Sequence, residues 1–313
     1  MMGVAFGEVL ECVRAMKVQS DLGRPVDGAL WMLACGLCFV GLTGIVRFIG
    51  TDLPAAQQAF LRFAFGVPLL IPVLVRLARV GMPRAAWRLF GARGAVHVVA
   101  VIFWFYAMAR LPVAEVTAIG YLNPVVVMLG GVVVFGERLG RLRMITVVVA
   151  LIGAVVVLRP GMRELSSGHM AQVIAAIFFA GSYLFAKRLS ALVPAGLVVA
   201  MLSLTVTVGL LPFALAVWQP VEALQAGLLA GTAVLGTAAH YCMTRAFAAA
   251  PLAVTQPVTF LQIVWATLLG VLVFGEAVDP WVLIGSAMIL GAVSISTFTE
   301  WRASRSAALV PDV

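Results

Sequence analysis

Residues 252–274 read LAVTQPVTFLQIVWATLLGVLVF, a stretch without one charged side chain. A helix of this length spans the hydrocarbon of a bilayer, which takes about 20 apolar residues. Nine further stretches have similar length and character, and together they cover residues 28–49, 54–75, 94–110, 113–135, 142–159, 169–187, 195–218, 224–247, 252–274 and 280–298. Pro and Gly punctuate the short gaps, as in Arg159-Pro160-Gly161 and Asp279-Pro280. With 63% hydrophobic and 11% charged residues, the chain has too little polar surface for a soluble globule. The gaps leave no room for a soluble domain. The expected fold is therefore an all-α integral membrane protein of ten transmembrane helices.

The net charge of +8 sits in those gaps. A nucleic-acid partner is not needed to explain it, because Lys and Arg gather on the cytoplasmic side of membrane proteins. With the N-terminus inside, 16 basic residues fall on the cytoplasmic side and four outside, with Arg62 left within a helix. The bias predicts that both termini face the cytoplasm and that the number of spans is even. Residues 1–26 read as a cytoplasmic extension, with Met1 or Met16 as the start, and 300–313 as a cytoplasmic tail.

The chain repeats itself. LPVAEVTAIGYLNPVVVMLGGVVVFGE (111–137) aligns without gaps on APLAVTQPVTFLQIVWATLLGVLVFGE (250–276), with 11 of 27 positions identical at an offset of 139 residues. That places Pro112 over Pro251, Ala114 over Ala253 and FGE over FGE. The unit is half the chain, so the repeats occupy 27–161 and 162–299, five helices each. Five is odd, so the second copy enters the membrane inverted. Arg138, Arg141 and Arg143 follow the first FGE, whereas Glu276 and Asp279 lie at and just after the second. Halves related in this way interconvert between inward-open and outward-open states around a site at mid-membrane, the logic of secondary carriers. No G-x-x-x-x-G-K-[ST] phosphate loop is present to power ATP-driven transport.

The run YAMARLPVAEVTAIGYLNPVVVMLGGVVVFGERLG, followed by LIGAVVVLRPG, resembles the EamA domain of the drug/metabolite transporter superfamily. RAFAAAPLAVTQPVTFLQIVWATLLGVLVFGEAV, followed by MILGAV, resembles the same domain. The resemblance covers residues 28–299. It implies a carrier of small metabolites in a bacterial inner membrane, with amino-acid export as the leading expectation. Uptake of S-adenosylmethionine or of a vitamin such as riboflavin is the alternative. It implies no enzyme and no cofactor.

Polar groups inside spans are costly and hence candidates for function. Arg62 is placed to bind a substrate carboxylate or to tie helix backbones together. Thr255, Thr259, Gln262 and Ala266 share one helix face, flanked by Gln256 and near Pro257. Thr117 and Tyr121 share another, with Asn123 beside it. Trp104, Tyr183, His240 and Tyr241 complete the candidate substrate-binding set, with packing or an interface belt as the alternative. His97 and His240 are placed either to shuttle protons or to be held in hydrogen bonds. Gly136 and Gly275 suit helix C-caps. Glu137 and Glu276 then lie in the following turn, a structural motif of the repeat.

No Asp or Glu lies at mid-depth in any span. This argues for a neutral, zwitterionic or carboxylate-bearing substrate over a permanent cation. Cys35 and Cys38 form a C-x-x-C inside an apolar run, which reads as helix packing, not as a metal site. Expected partners are a small-molecule substrate and the lipid bilayer, with no nucleic acid and no metal. Proton coupling stays open, as do a monomer and a homodimer.

Overall fold

The structure is a computed structural model that describes residues 25–80, 84–135, 140–162, 164–190, 192–193, 195–250 and 252–308. The first half contributes α1 (Pro25–Ile49), α2 (Ala55–Val80), α3 (Arg84–Met108), α4 (Val113–Gly120), α5 (Asn123–Phe135) and α6 (Arg141–Leu158). The second contributes α7 (Ser167–Ser190), α8 (Ala195–Ala216), α9 (Ala223–Ala249), α10 (Leu252–Phe274) and α11 (Pro280–Ala308). Nine spans among the described residues are long and apolar enough to cross a bilayer. Within α10 the apolar stretch is shorter, Leu261–Phe274, so the ten expected spans stand as nine plus this one.

The helices follow the expected boundaries, except that α11 runs ten residues past residue 298, to Ala308, and for two further differences. The fourth expected span is broken into α4 and α5. Pro124 has no N–H to return to the Gly120 carbonyl, and Tyr121 and Leu122 instead donate three residues back, to Ala118 and Ile119. Its counterpart α10 is unbroken. Helix α3 also begins ten residues earlier than expected, at Arg84 instead of residue 94. Arg93 therefore lies inside the helix and is buried, where the charge count had placed it in a cytoplasmic gap.

The packing repeats across the halves. Helix α1 packs on α9 and α10, while α7 packs on α3 and on α4 and α5. Helices α2 and α8 pack together, as do α6 and α11. Exchanging the halves maps the α1 pairings onto the α7 pairings and the other two onto themselves. The agreement reaches single residues. Leu235 of α9 lies over Gly41 of α1, and Val96 of α3 lies over Gly181 of α7. Leu269 of α10 fills the space above Gly44 of α1, while Leu184 of α7 fills the space above Gly130 of α5. In the last pair glycine and leucine have traded helices, yet the contact survives. With lipid as apolar as leucine, such small-residue contacts are what let helices associate closely.

These contacts also fix direction. Gly28, Gly36 and Gly44 of α1 face Ala250 and then Gln262 and Leu269 of α10, so α10 runs parallel to α1. Thr146 of α6 meets the Ala292 carbonyl of α11, and Gly153 meets Gly285, so α6 and α11 are antiparallel. The end at which α1, α3 and α6 finish and α4, α7 and α11 begin is held by polar bonds. Arg47 joins Glu276, Arg159 joins Asp279, and His169 joins Glu115 at 2.8 Å. Both described chain ends, Pro25 and Ala308, lie at the opposite end of the bundle.

Candidate functional site

A line of rings crosses the middle of the bundle. Phe63 of α2 meets His97 of α3 edge-on, and His97 meets Phe179 of α7 at 5.0 Å between ring centres. Phe179 meets Trp104 of α3, Trp104 meets Phe39 of α1, and Phe39 meets His240 of α9. Five helices from both halves contribute. Phe39 and Phe179 fall at matching places in the two halves, each eleven residues after Gly28 and Gly168. Trp104 stands between this pair. Edge-to-face contacts of this kind pin ring orientation as well as bury area.

Two arginines lie beside the rings. Arg62 is 5% exposed and its guanidinium lies over the Phe63 ring, 4.1 Å from the centre. Its Nε, out of reach of water, has no partner among the described residues. Gly236 of α9 makes the room for it, because a Cβ there would collide with the guanidinium. Arg93, also 5% exposed, donates from Nη1 to the Val198 carbonyl at 3.0 Å and from Nε to Ser182 Oγ at 3.4 Å. His97 Nδ1 shares Ser182 Oγ at 3.0 Å. The ion-paired acids Glu115, Glu276 and Asp279 are at the far end, bonded to other groups.

Of the residues singled out in the sequence, Arg62, Trp104 and His240 come together in this centre. Tyr183 joins them from α7. It is 39% exposed. A second group forms where the end of α4 meets α10. Tyr121, at the break after α4, donates its hydroxyl to the Thr259 carbonyl at 3.0 Å, with Asn123 opening α5 beside it. Thr255 is fully buried on the same helix as Thr259, and Gln262 packs over Gly36 of α1.

Other candidates lie elsewhere or are otherwise engaged. Thr117 spends its hydroxyl on the Val113 carbonyl one turn back. Tyr241 is 55% exposed, stands edge-on to Trp31 and accepts from Arg245, away from the ring line. The Gln256 side chain, Gly136 and Glu137 lie outside the described residues. Gly275 has φ +64, which a glycine adopts without strain, and it directly follows α10. The Glu276 carboxylate reaches Arg47 of α1 and the Val113 N–H at the start of α4, not the N-terminus of the next helix. Cys35, Cys38 and Cys242 are free, and Cys35 and Cys242 pack in one apolar cluster with Met32 and Ala239.

Sequence reading did not single out Phe39, Phe63 and Phe179, because an apolar ring in an apolar helix carries no local signal. Aligning the first helix of each half finds two of them, since Gly28, Phe39 and Gly41 fall over Gly168, Phe179 and Gly181. The Glu115–His169 pair was missed because its members belong to different halves.

The profile of the EamA-like transporter family matches residues 26–159 and again 166–298. The chain belongs to the EamA-like transporter family. Like its EamA relatives it is a multi-pass membrane transporter of small molecules, not an enzyme. A riboflavin transporter of Rhizobium johnstonii is 30% identical over 91% of this chain and 95% of its own length. A riboflavin transporter of Vibrio cholerae is 27% identical over 90% and 96%. The pseudopaline exporter of Pseudomonas aeruginosa is 26% identical over 85% and 94%. A solved crystal structure shares the EamA chain's fold with a TM-score of 0.60 at 20% identity, covering 88% of this chain and 97% of that one.

Proposed function

We propose that this protein is a secondary carrier for a flat, ring-bearing metabolite of the riboflavin class, working by alternating access in a bacterial inner membrane with both termini in the cytoplasm. The observation that carries the reading is the line of six rings from Phe63 to His240, built from five helices of both halves. Phe39 and Phe179, facing Trp104 from the two halves, offer aromatic surfaces to a flat tricyclic ring. The hydroxyls and amides of Tyr183, Gln262 and Thr259 supply hydrogen bonds for a polar chain attached to it. Two of the relatives described above are riboflavin transporters, and neither is far from full-length similarity.

Amino-acid export, the leading expectation from sequence, keeps support from buried Arg62, but none of the relatives described above is named for an amino acid. Direction follows the gradient in an alternating-access carrier, so uptake of a scarce vitamin and export of an excess metabolite use the same cycle.

The test is counterflow. Purified protein in liposomes loaded with unlabelled riboflavin is given labelled riboflavin outside. The expected result is saturable accumulation that disappears when the internal pool is omitted. Exchange of amino acids and not riboflavin would replace this reading with the amino-acid one. Folded protein that exchanges neither would overturn both.

A further inference from the structure

Arg62 and Arg93 are each 5% exposed at the centre and have no counter-charge among the described residues. Arg93 is bonded to neutral groups, the Val198 carbonyl and the Ser182 hydroxyl. Arg62 has the Phe63 ring on one face and an unpartnered Nε, and it forms no ion pair with a carboxylate among the described residues. A buried, unpaired guanidinium is costly, and a ring face recovers only part of that cost. Gly236, lacking a Cβ, leaves room for the guanidinium where it lies. A planar fork of donors with no acceptor suits the two oxygens of a carboxylate or phosphate.

We propose that Arg62, supported by Arg93, is an anion-binding subsite that takes a carboxylate or phosphate group during the transport cycle. Two sources share this chemistry. The anionic group is part of the transported ring-bearing metabolite, or it is a separate small anion bound alongside it. The consequence for transport rests on the carrier reading given above; the binding itself does not.

The experiment uses the full-length protein in detergent. Thermal unfolding is followed during titration with sodium phosphate, sodium acetate, flavin mononucleotide and riboflavin, with a bulky sulfonate salt holding ionic strength constant. The subsite predicts a saturable rise in Tm with at least one anion, weakened at least tenfold in Arg62→Gln and unchanged in Arg88→Gln on the exposed surface. Should Arg62→Gln fail to fold, Arg62→Lys keeps the charge but loses the fork, and Gly236→Ala crowds the guanidinium. Each is expected to weaken the midpoint at least fivefold. Stabilisation by phosphate or acetate alone assigns the site to a separate small anion. Stabilisation by flavin mononucleotide alone, beyond that by riboflavin, assigns it to the substrate's own group. No saturable shift with any anion, or equal shifts in wild type and all Arg62 variants, overturns the subsite. Riboflavin counterflow that persists alongside such a failure leaves the carrier reading intact. Anion binding without riboflavin counterflow does the reverse.

Discussion

Glu276 accepts from Arg47 Nε at 3.0 Å with one carboxylate oxygen and from the Val113 N–H at 3.0 Å with the other. One side chain of the second half thereby fastens α1 and the start of α4 in the first. Arg47 extends the bond to the Ala109 carbonyl at 3.3 Å. The carboxylate also sits where a helix N-terminus presents partial positive charge. Arg159–Asp279 and His169–Glu115 cross between the halves at the same end. This end is a latch.

Glu276→Gln keeps an acceptor for Val113 but removes the charge facing Arg47. Partly buried ion pairs of this kind are worth about 1–3 kcal/mol when one partner is lost. The expected outcome is a Tm lowered by several degrees in detergent. An unchanged Tm would show that the pair contributes nothing to holding the halves.

The α6–α11 crossing depends on glycine. A Cβ on Gly285 would lie 2.5 Å from the Gly153 carbonyl oxygen and as close to a Val157 methyl. Backbone cannot yield as a side chain does, so Gly285→Ala pushes the helices apart. Overpacking costs about 1–3 kcal/mol, and the yield of monodisperse protein should fall. Gly291→Ala on the same helix, with open space around it, serves as the comparison and should behave as wild type.

Tyr121→Phe deletes the bond to the Thr259 carbonyl and nothing else large. A neutral hydrogen bond contributes about 1 kcal/mol, so a Tm loss of a few degrees is expected. Because this bond ties the α4–α5 break to α10, the maximal exchange rate should change while half-saturation stays within twofold. A change confined to half-saturation would mean that Tyr121 touches substrate instead.

Trp104→Phe keeps a ring but shortens it between Phe39 and Phe179. An aromatic pair adds about 0.5–1.5 kcal/mol beyond area, so half-saturation for riboflavin should rise about 2- to 12-fold with little change in maximal rate. Unaltered kinetics would remove the ring line from substrate binding.

Much of the fold was legible because bilayer thickness, proline placement and the 111–137/250–276 echo each constrain the chain independently. The pairing of Gly44 with Leu269 and of Leu184 with Gly130 follows from that echo once the second half is inverted. The break at Tyr121–Leu122 was harder to read, since Pro257 in the counterpart helix leaves α10 continuous. The early start of α3 was masked by its arginines, which hydropathy assigns to water although Arg93 finds Ser182 and Val198 within the bundle. At the site, polar outliers such as Arg62 and His240 stood out against lipid-like surroundings. The phenylalanines that frame them did not, and only their places in the two halves distinguish them.

The latch supplies the most direct test of alternating access. In a background with all four native cysteines replaced, Arg47→Cys and Glu276→Cys are introduced together and joined by a short, reducible thiol cross-linker in proteoliposomes. Riboflavin counterflow is then followed before and after reduction. The account predicts that cross-linked protein is inactive, because this end can no longer open, and that reduction restores exchange. Counterflow that continues at full rate through cross-linked protein would contradict it.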